Sequence, residues 1–156
     1  MQTPEKEPFA RTGVLRQYPG GLIRFLIRPE QTGGALSVVE MKSWGGAQPP
    51  AHTHLHEDET FLIAEGELVF TIGDRTFTAT PGMAVFAPRG VRHGYRITSE
   101  WARFTMVITP GRFADYFWEL TEDAHSDQMP PLPPGPPPAA EIARRLKLSA
   151  EYGIVY

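Results

Sequence analysis

The sequence predicts an all-β domain, a sandwich or small barrel, finished at its C-terminal end by two short helices. Three observations carry that expectation. Between Gly20 and Pro110 apolar and polar residues alternate over short segments, with hardly any helical period among them. Gly and Pro together make up about a fifth of the 156 residues, against roughly an eighth in average usage, so turns are frequent. Helical spacing first appears beyond Pro110.

Taken in order, residues 1–19 read as an N-terminal arm, 20–110 as the barrel and 111–156 as a C-terminal extension. The apolar run Leu22, Ile23, Phe25, Leu26 and Ile27, within 12–27, is a candidate for exchange with a second copy. An open β sandwich leaves edge strands that a twofold partner covers, so a homodimer is expected. Ser37–Lys42 puts Ser37, Val39 and Met41 on one face, the period of a half-buried strand. Thr60–Ala64 and Leu68–Ile72 flank Glu65-Gly66-Glu67, a hairpin signal, and Gly73-Asp74-Arg75 turns into Thr76–Thr80. Trp101–Thr109 alternates with Ala102, Phe104, Met106 and Ile108 as its apolar face. Phe113, Tyr116, Phe117 and Leu120 recur at helical spacing, as do Ile142 and Leu146, so both helices should pack on the sheet. Seven prolines between Pro130 and Pro138 exclude helix and central strand there and join the two helices by a stiff extended connector.

Composition bounds the function. A chain of 156 residues is one domain as a prior, long enough to bury a core. Zero Cys excludes disulfides, iron–sulfur clusters, Cys zinc sites and thiol nucleophiles. A net charge of −3 without a basic stripe argues against nucleic acid and anionic membranes as partners. The opening residues lack a signal-peptide pattern, and no apolar run approaches the roughly 20 residues of a membrane span. A cytoplasmic protein with a small-molecule substrate is therefore expected.

Three of the five His fall in His52-Thr53-His54-Leu55-His56, followed by Glu57-Asp58-Glu59. Pro49-Pro50 before and alternating residues after favour a strand, in which His52 and His54 point the same way. Glu59 opens the next strand and could project into the same space. His93 follows a turn at Arg89-Gly90, with Tyr95 on its face. His56 is in phase with His52 and His54, but the acidic turn after it favours a place at the rim over a ligand role. Glu57 and Asp58 are expected in a wet turn, and His125 in solvent.

These residues resemble the two signatures of the cupins. The first runs Gly, five residues, His-x-His, three or four residues, Glu, six residues, Gly, and Gly46, His52, His54, Glu59 and Gly66 meet it. The second runs Gly, five residues, Pro-x-Gly, two residues, His, three residues, Asn; Gly82, Pro88, Gly90 and His93 meet it, and Ile97 replaces the Asn. The resemblance implies a jelly-roll barrel in which His52, His54, Glu59 and His93 bind one divalent metal. Three neutral imidazoles and a carboxylate independently suit Fe, Ni, Mn, Co, Cu or Zn over Ca or Mg. The strand phase set by these ligands makes Met41, Phe61, Ile63, Tyr95, Phe104 and Met106 the lining of a substrate pocket, with Phe70 and Phe77 as further candidates or plain core. Tyr95 stands out in that set, because its hydroxyl can touch substrate or metal-bound water.

With one carboxylate and a divalent cation the centre is near +1 and favours an enolate or phenolate. If the metal is redox-active, enolate and O2 meet there with Glu59 as base; if redox-silent, it polarises a carbonyl. The single domain with a helical extension is similar to quercetin-dioxygenase-like cupins and to single-domain polyketide cyclases. The first expectation is thus a dioxygenase for an enolisable aromatic or diketone. A redox-silent cyclase or isomerase comes second, and a non-enzymatic ligand-binding cupin third.

Overall fold

The computed structural model describes residues 12–156, so most of the expected arm, residues 1–11, lies outside the described residues. The chain runs β1 (Val14–Tyr18), β2 (Gly21–Ile27), a 3-10 turn (Pro29–Gln31), β3 (Ser37–Trp44), β4 (Thr53–His54), β5 (Asp58–Glu65), β6 (Leu68–Ile72), β7 (Arg75–Ala79), β8 (Ala84–Ala87), β9 (His93–Ile97) and β10 (Trp101–Thr109). It continues with α1 (Phe113–Leu120), β11 (Glu122–Asp123), α2 (Ala139–Glu151) and β12 (Ile154–Val155). A seven-stranded sheet in the order β11-β1-β2-β3-β10-β5-β8 faces a three-stranded sheet β7-β6-β9, and β12-β4 forms a third, two-stranded sheet. All neighbours are antiparallel.

Period-two patterning decides which side chains go inside. On β10 the buried residues are Ala102, Phe104, Met106 and Ile108, and on β3 they are Ser37, Val39, Met41 and Ser43. The two sheets meet through aromatic edges: Phe61 of β5 lies 5.1 Å from Phe70 of β6, and Phe104 of β10 lies 5.4 Å from Tyr95 of β9. Each such buried ring is worth roughly 1.5–3 kcal/mol against exposure. The β5–β6 hairpin turns at Gly66, whose φ of 83° is left-handed and whose missing side chain leaves room for Trp101 and Ser99. The outcome is the all-β barrel with short C-terminal helices that the alternation predicts.

Three expectations change in the structure. The sheet begins at Val14, inside the segment read as an arm, because Val14–Tyr18 pairs in full register with Phe25–Gly21. The apolar run expected to exchange with a second copy is spent on the chain's own sheet: β2 pairs with β1 and β3, and Leu22, Ile23 and Phe25 are buried. In α2, Ile142 and Leu146 stand 42% and 51% exposed instead of packing on the sheet. That helix docks by its last turn, where Leu148, Ser149 and Tyr152 are buried, Ser149 meets the Tyr116 hydroxyl at 3.1 Å and Tyr152 donates to Glu119 at 2.6 Å.

The other helix is fastened by Trp118. The guanidinium groups of Arg16 and Arg28 lie 4.2 and 4.0 Å from its ring, and Phe25 meets it edge-on at 5.0 Å. Arg28 also pairs with Asp115 at 3.0 Å. This places Phe113, at the start of α1, against the barrel end where the His-rich segment enters.

Candidate metal centre

Pro49-Pro50 supplies no backbone donors and delivers an extended chain into β4. His52 and His93 exchange both backbone hydrogen bonds at 2.8 Å, which fastens the His-rich segment to β9. The other side of β4 pairs with β12, His54 opposite Ile154 and Thr53 opposite Val155. Glu59 is the second residue of β5, backed by Ile108 and Ala87. Period two then turns Glu59 inward with Phe61 and Ile63, and all three are buried.

Side-chain donor atoms of His52, His54, Glu59 and His93 lie within 4.8 Å of one another. His52 Nε2 is 3.1 Å from His54 Nε2, His93 Nε2 is 2.9 Å from Glu59 Oε2, and His54 Nε2 is 3.4 Å from the same oxygen. Ligand atoms about 2.1 Å from a common cation would stand roughly 3.0–3.4 Å apart in octahedral or tetrahedral arrangement, which is this range. The proton inventory supports the fit. His52 Nδ1 faces Pro50 O at 2.8 Å and His93 Nδ1 faces Val91 O at 3.0 Å, and a carbonyl accepts only, so both Nδ1 atoms carry hydrogen. In neutral rings the two Nε2 atoms are then bare lone pairs, aimed at another imidazole and at a carboxylate. Such a convergence needs a proton or a cation, and a divalent transition metal fits the donor set.

Electrostatics without metal agree. Burial alone would raise Glu59, but the His93 hydrogen bond and the imidazole charges of His54, His93 and His52 outweigh it and hold its carboxyl below the ordinary value. Burial works against charge on His93 too, yet the bond and charge of Glu59 and the Val91 carbonyl raise it. His52 is lowered by burial, against the opposing pull of Pro50 and Glu59.

The remaining site candidates fall in different places. Met41, Phe61, Ile63, Phe104 and Met106 are buried, and Tyr95 packs on Phe61, Phe70 and Phe104 at 5.9, 5.6 and 5.4 Å. Burial, then the charges of Tyr18 and Glu59, push the Tyr95 phenol well above its ordinary value, so it stays a hydrogen donor. Phe77 is 37% exposed, on the edge strand β7. His56 is exposed, its ring against Gly153: a Cβ there would sit 2.6 Å from His56 Cδ2. Asp58 leaves the site altogether and accepts from Arg89 at 2.8 and 3.0 Å.

Glu57 is the main correction: it is buried, 2% exposed, in place of the wet turn expected. Its Oε2 lies 3.7 Å from His54 Nδ1. The acidic run by itself does not tell Glu57 from Asp58; the phase of β5, counted back from Ile63 through Phe61 and Glu59, puts Glu57 on the inward side, just after the Leu55-His56 bend. The C-terminal segment also reaches the site unannounced. The Phe113 ring meets His54 at 4.2 Å, and Tyr156 lies 6.1 Å from the His52 ring while its hydroxyl meets Ser149 at 3.2 Å.

Comparison with known proteins gives the following. Residues 39–108 match the family described as Cupin domain. A quercetin 2,3-dioxygenase of Bacillus subtilis (strain 168) is 27% identical over 99 residues, covering 64% of this chain and 29% of that protein. The chain thus spans under a third of that curated relative. Among solved structures, an RmlC-like cupin from Shewanella frigidimarina NCIMB 400 superposes with a TM-score of 0.58 at 20% identity, over 74% of this chain and 99% of that one. The polyketide cyclase RemF from Streptomyces resistomycificus gives 0.50 at 24% identity, over 70% and 80%. Both share the fold.

Proposed function

We propose that the chain, whose residues 39–108 match the family described as Cupin domain, is a metal-dependent dioxygenase acting on an enolisable aromatic or 1,3-diketone, with O2 as co-substrate. The observation that carries the reading is the convergence of His52, His54, Glu59 and His93 within residues 39–108, the stretch that matches the Cupin domain, in a chain that is 27% identical over 99 residues to a named dioxygenase. These four residues would hold one Fe, Ni, Mn, Co, Cu or Zn ion. A bound divalent metal supplies positive charge for an enolate and, if redox-active, an electron path to O2.

The chain's own residues supply the rest. Glu59, held ionised, is the base: with Oε2 facing the imidazoles as the ligand atom, its other carboxylate oxygen takes the substrate's enol proton. Tyr95, held protonated, donates a hydrogen bond to a substrate oxygen. Phe61, Phe104, Ile63, Met41 and Met106 exclude water around an apolar ring. The reading extends to a cytoplasmic homodimer. Its support is the free edge β8, beside which Phe86 and Leu62 are 58% and 44% exposed. Light scattering that returns the mass of one chain removes the dimer.

O2 uptake with a flavonol or 1,3-diketone, stoichiometric with substrate loss, is the expected result. Turnover that proceeds unchanged under strict anaerobiosis with Zn as sole metal would instead make the chain a Lewis-acid cyclase or isomerase. Ligand retention without turnover, unaltered in Glu59→Gln, would make it a binding protein.

A further inference from the structure

We propose that Glu57 is a positioning residue of the metal centre: its carboxylate accepts the Nδ1 hydrogen of His54 once the Nε2 of that ring is committed to a cation. The inference rests on the reading of His52, His54, Glu59 and His93 as ligands and adds a fifth residue behind them.

The three imidazoles are not alike. Those of His52 and His93 are each braced by a backbone carbonyl at Nδ1, at 2.8 and 3.0 Å. The His54 ring, fully buried, has no such carbonyl. Its Nδ1 and Glu57 Oε2 are both buried without a hydrogen-bond partner, and they face each other at 3.7 Å. An orphaned buried donor or acceptor costs about 1–3 kcal/mol, so two orphans pointing at one another mark an interaction left open. A charge-assisted N–H···O bond is about 2.7–2.9 Å long, so a shift of roughly an ångström, within a side-chain rotation of Glu57, closes it.

A cation supplies the reason to close. While Nε2 is free, the neutral ring can carry its hydrogen on either nitrogen. A cation at Nε2 requires the hydrogen on Nδ1 and makes that N–H a stronger donor. The acceptor it meets is Glu57.

The test is a Zn2+ titration against a competing chelator on metal-free wild type, Glu57→Ala and Glu57→Gln, with thermal unfolding of each metal-free form. Wild type is expected to take up one Zn2+ per chain. Glu57→Ala should bind about 10–100-fold more weakly while its metal-free form unfolds at the same or a higher temperature, since an orphaned buried carboxylate has gone. Glu57→Gln, whose amide oxygen still accepts, should recover most of the affinity. In the Zn2+-loaded wild type the His54 Nδ1 hydrogen should give a downfield proton resonance that Glu57→Ala loses. Equal affinity in wild type and Glu57→Ala overturns the proposal and leaves the four ligands standing. A metal-free Glu57→Ala that unfolds earlier and regains nothing in Glu57→Gln also overturns it, as a purely structural role. A wild type that takes up no Zn2+ overturns both readings.

Discussion

The inner faces of β5 and β9 each carry two unlike kinds of residue. At one end stand Glu59 and His93, and two residues further along stand Phe61 and Tyr95. The cluster of Phe61, Phe70, Tyr95 and Phe104 packs ring against ring, whereas the ligand end gathers lone pairs and orphaned polar atoms. One end is satisfied as it stands, whereas at the other His54 Nδ1 and Glu57 Oε2 are left without partners until a cation arrives.

The largest test of this contrast is Phe61→Ala, expected to lose about 3–5 kcal/mol in chemical denaturation. A loss below about 1 kcal/mol would break the contrast, because the rings would then not be the source of stability. Next comes metal itself: saturating the wild type at 100 times Kd should add about 2.7 kcal/mol. That gain should vanish in His54→Ala and His93→Ala, whose metal-free forms should stay within about 1 kcal/mol of wild type. A variant that unfolds outright would place His93 or His54 among the stabilising residues instead.

A smaller effect is expected from pH on the metal-free protein. Glu59 is depressed, so its contribution is present above its ordinary value of 4.5 and is lost as pH falls through its lower folded value. His93 is raised, so its contribution is complete below 6.5 and is lost as pH rises through its higher folded value. The pair thus stabilises most between 4.5 and 6.5. Metal affinity should move the opposite way on the alkaline side, since the cation takes the place of a proton. Thermal scans that stay flat from pH 6 to 8 without metal would remove the pair as a source of stability. The smallest effect belongs outside the barrel. Arg103 bridges Glu40 at 3.0 Å and Glu65 at 2.6 Å on a partly exposed face, so Arg103→Ala should cost under about 1 kcal/mol and leave metal affinity unchanged.

What could be read from the sequence follows from period two. Leu68–Ile72 and Trp101–Thr109 appear with the bounds expected, and the His-x-His spacing brings His52 and His54 to one side because successive strand residues alternate. What could not be read depends on contacts between distant segments. Glu57 and Asp58 are adjacent acidic residues whose partners come from elsewhere in the chain or across a bend: Arg89 pairs with Asp58 on the outside while His54 faces Glu57 within. The stripe of Ile142 and Leu146 has helical period but no surface to meet, because Tyr116 and Glu119 engage the final turn of α2 instead. That β12 would flank the ligand strand is invisible in Ile154-Val155, two residues without a pattern of their own.

The pairing of His54 with Ile154 joins residues one hundred positions apart. During synthesis at about 5–20 residues per second, the ligand strand leaves the ribosome roughly 5–20 s before the strand that flanks it. All four candidate ligands, the last at His93, are therefore made well before β12, and a nascent chain meeting metal in that interval offers donors on a strand still lacking one neighbour. The order of manufacture thus separates possession of the ligands from possession of a finished cradle.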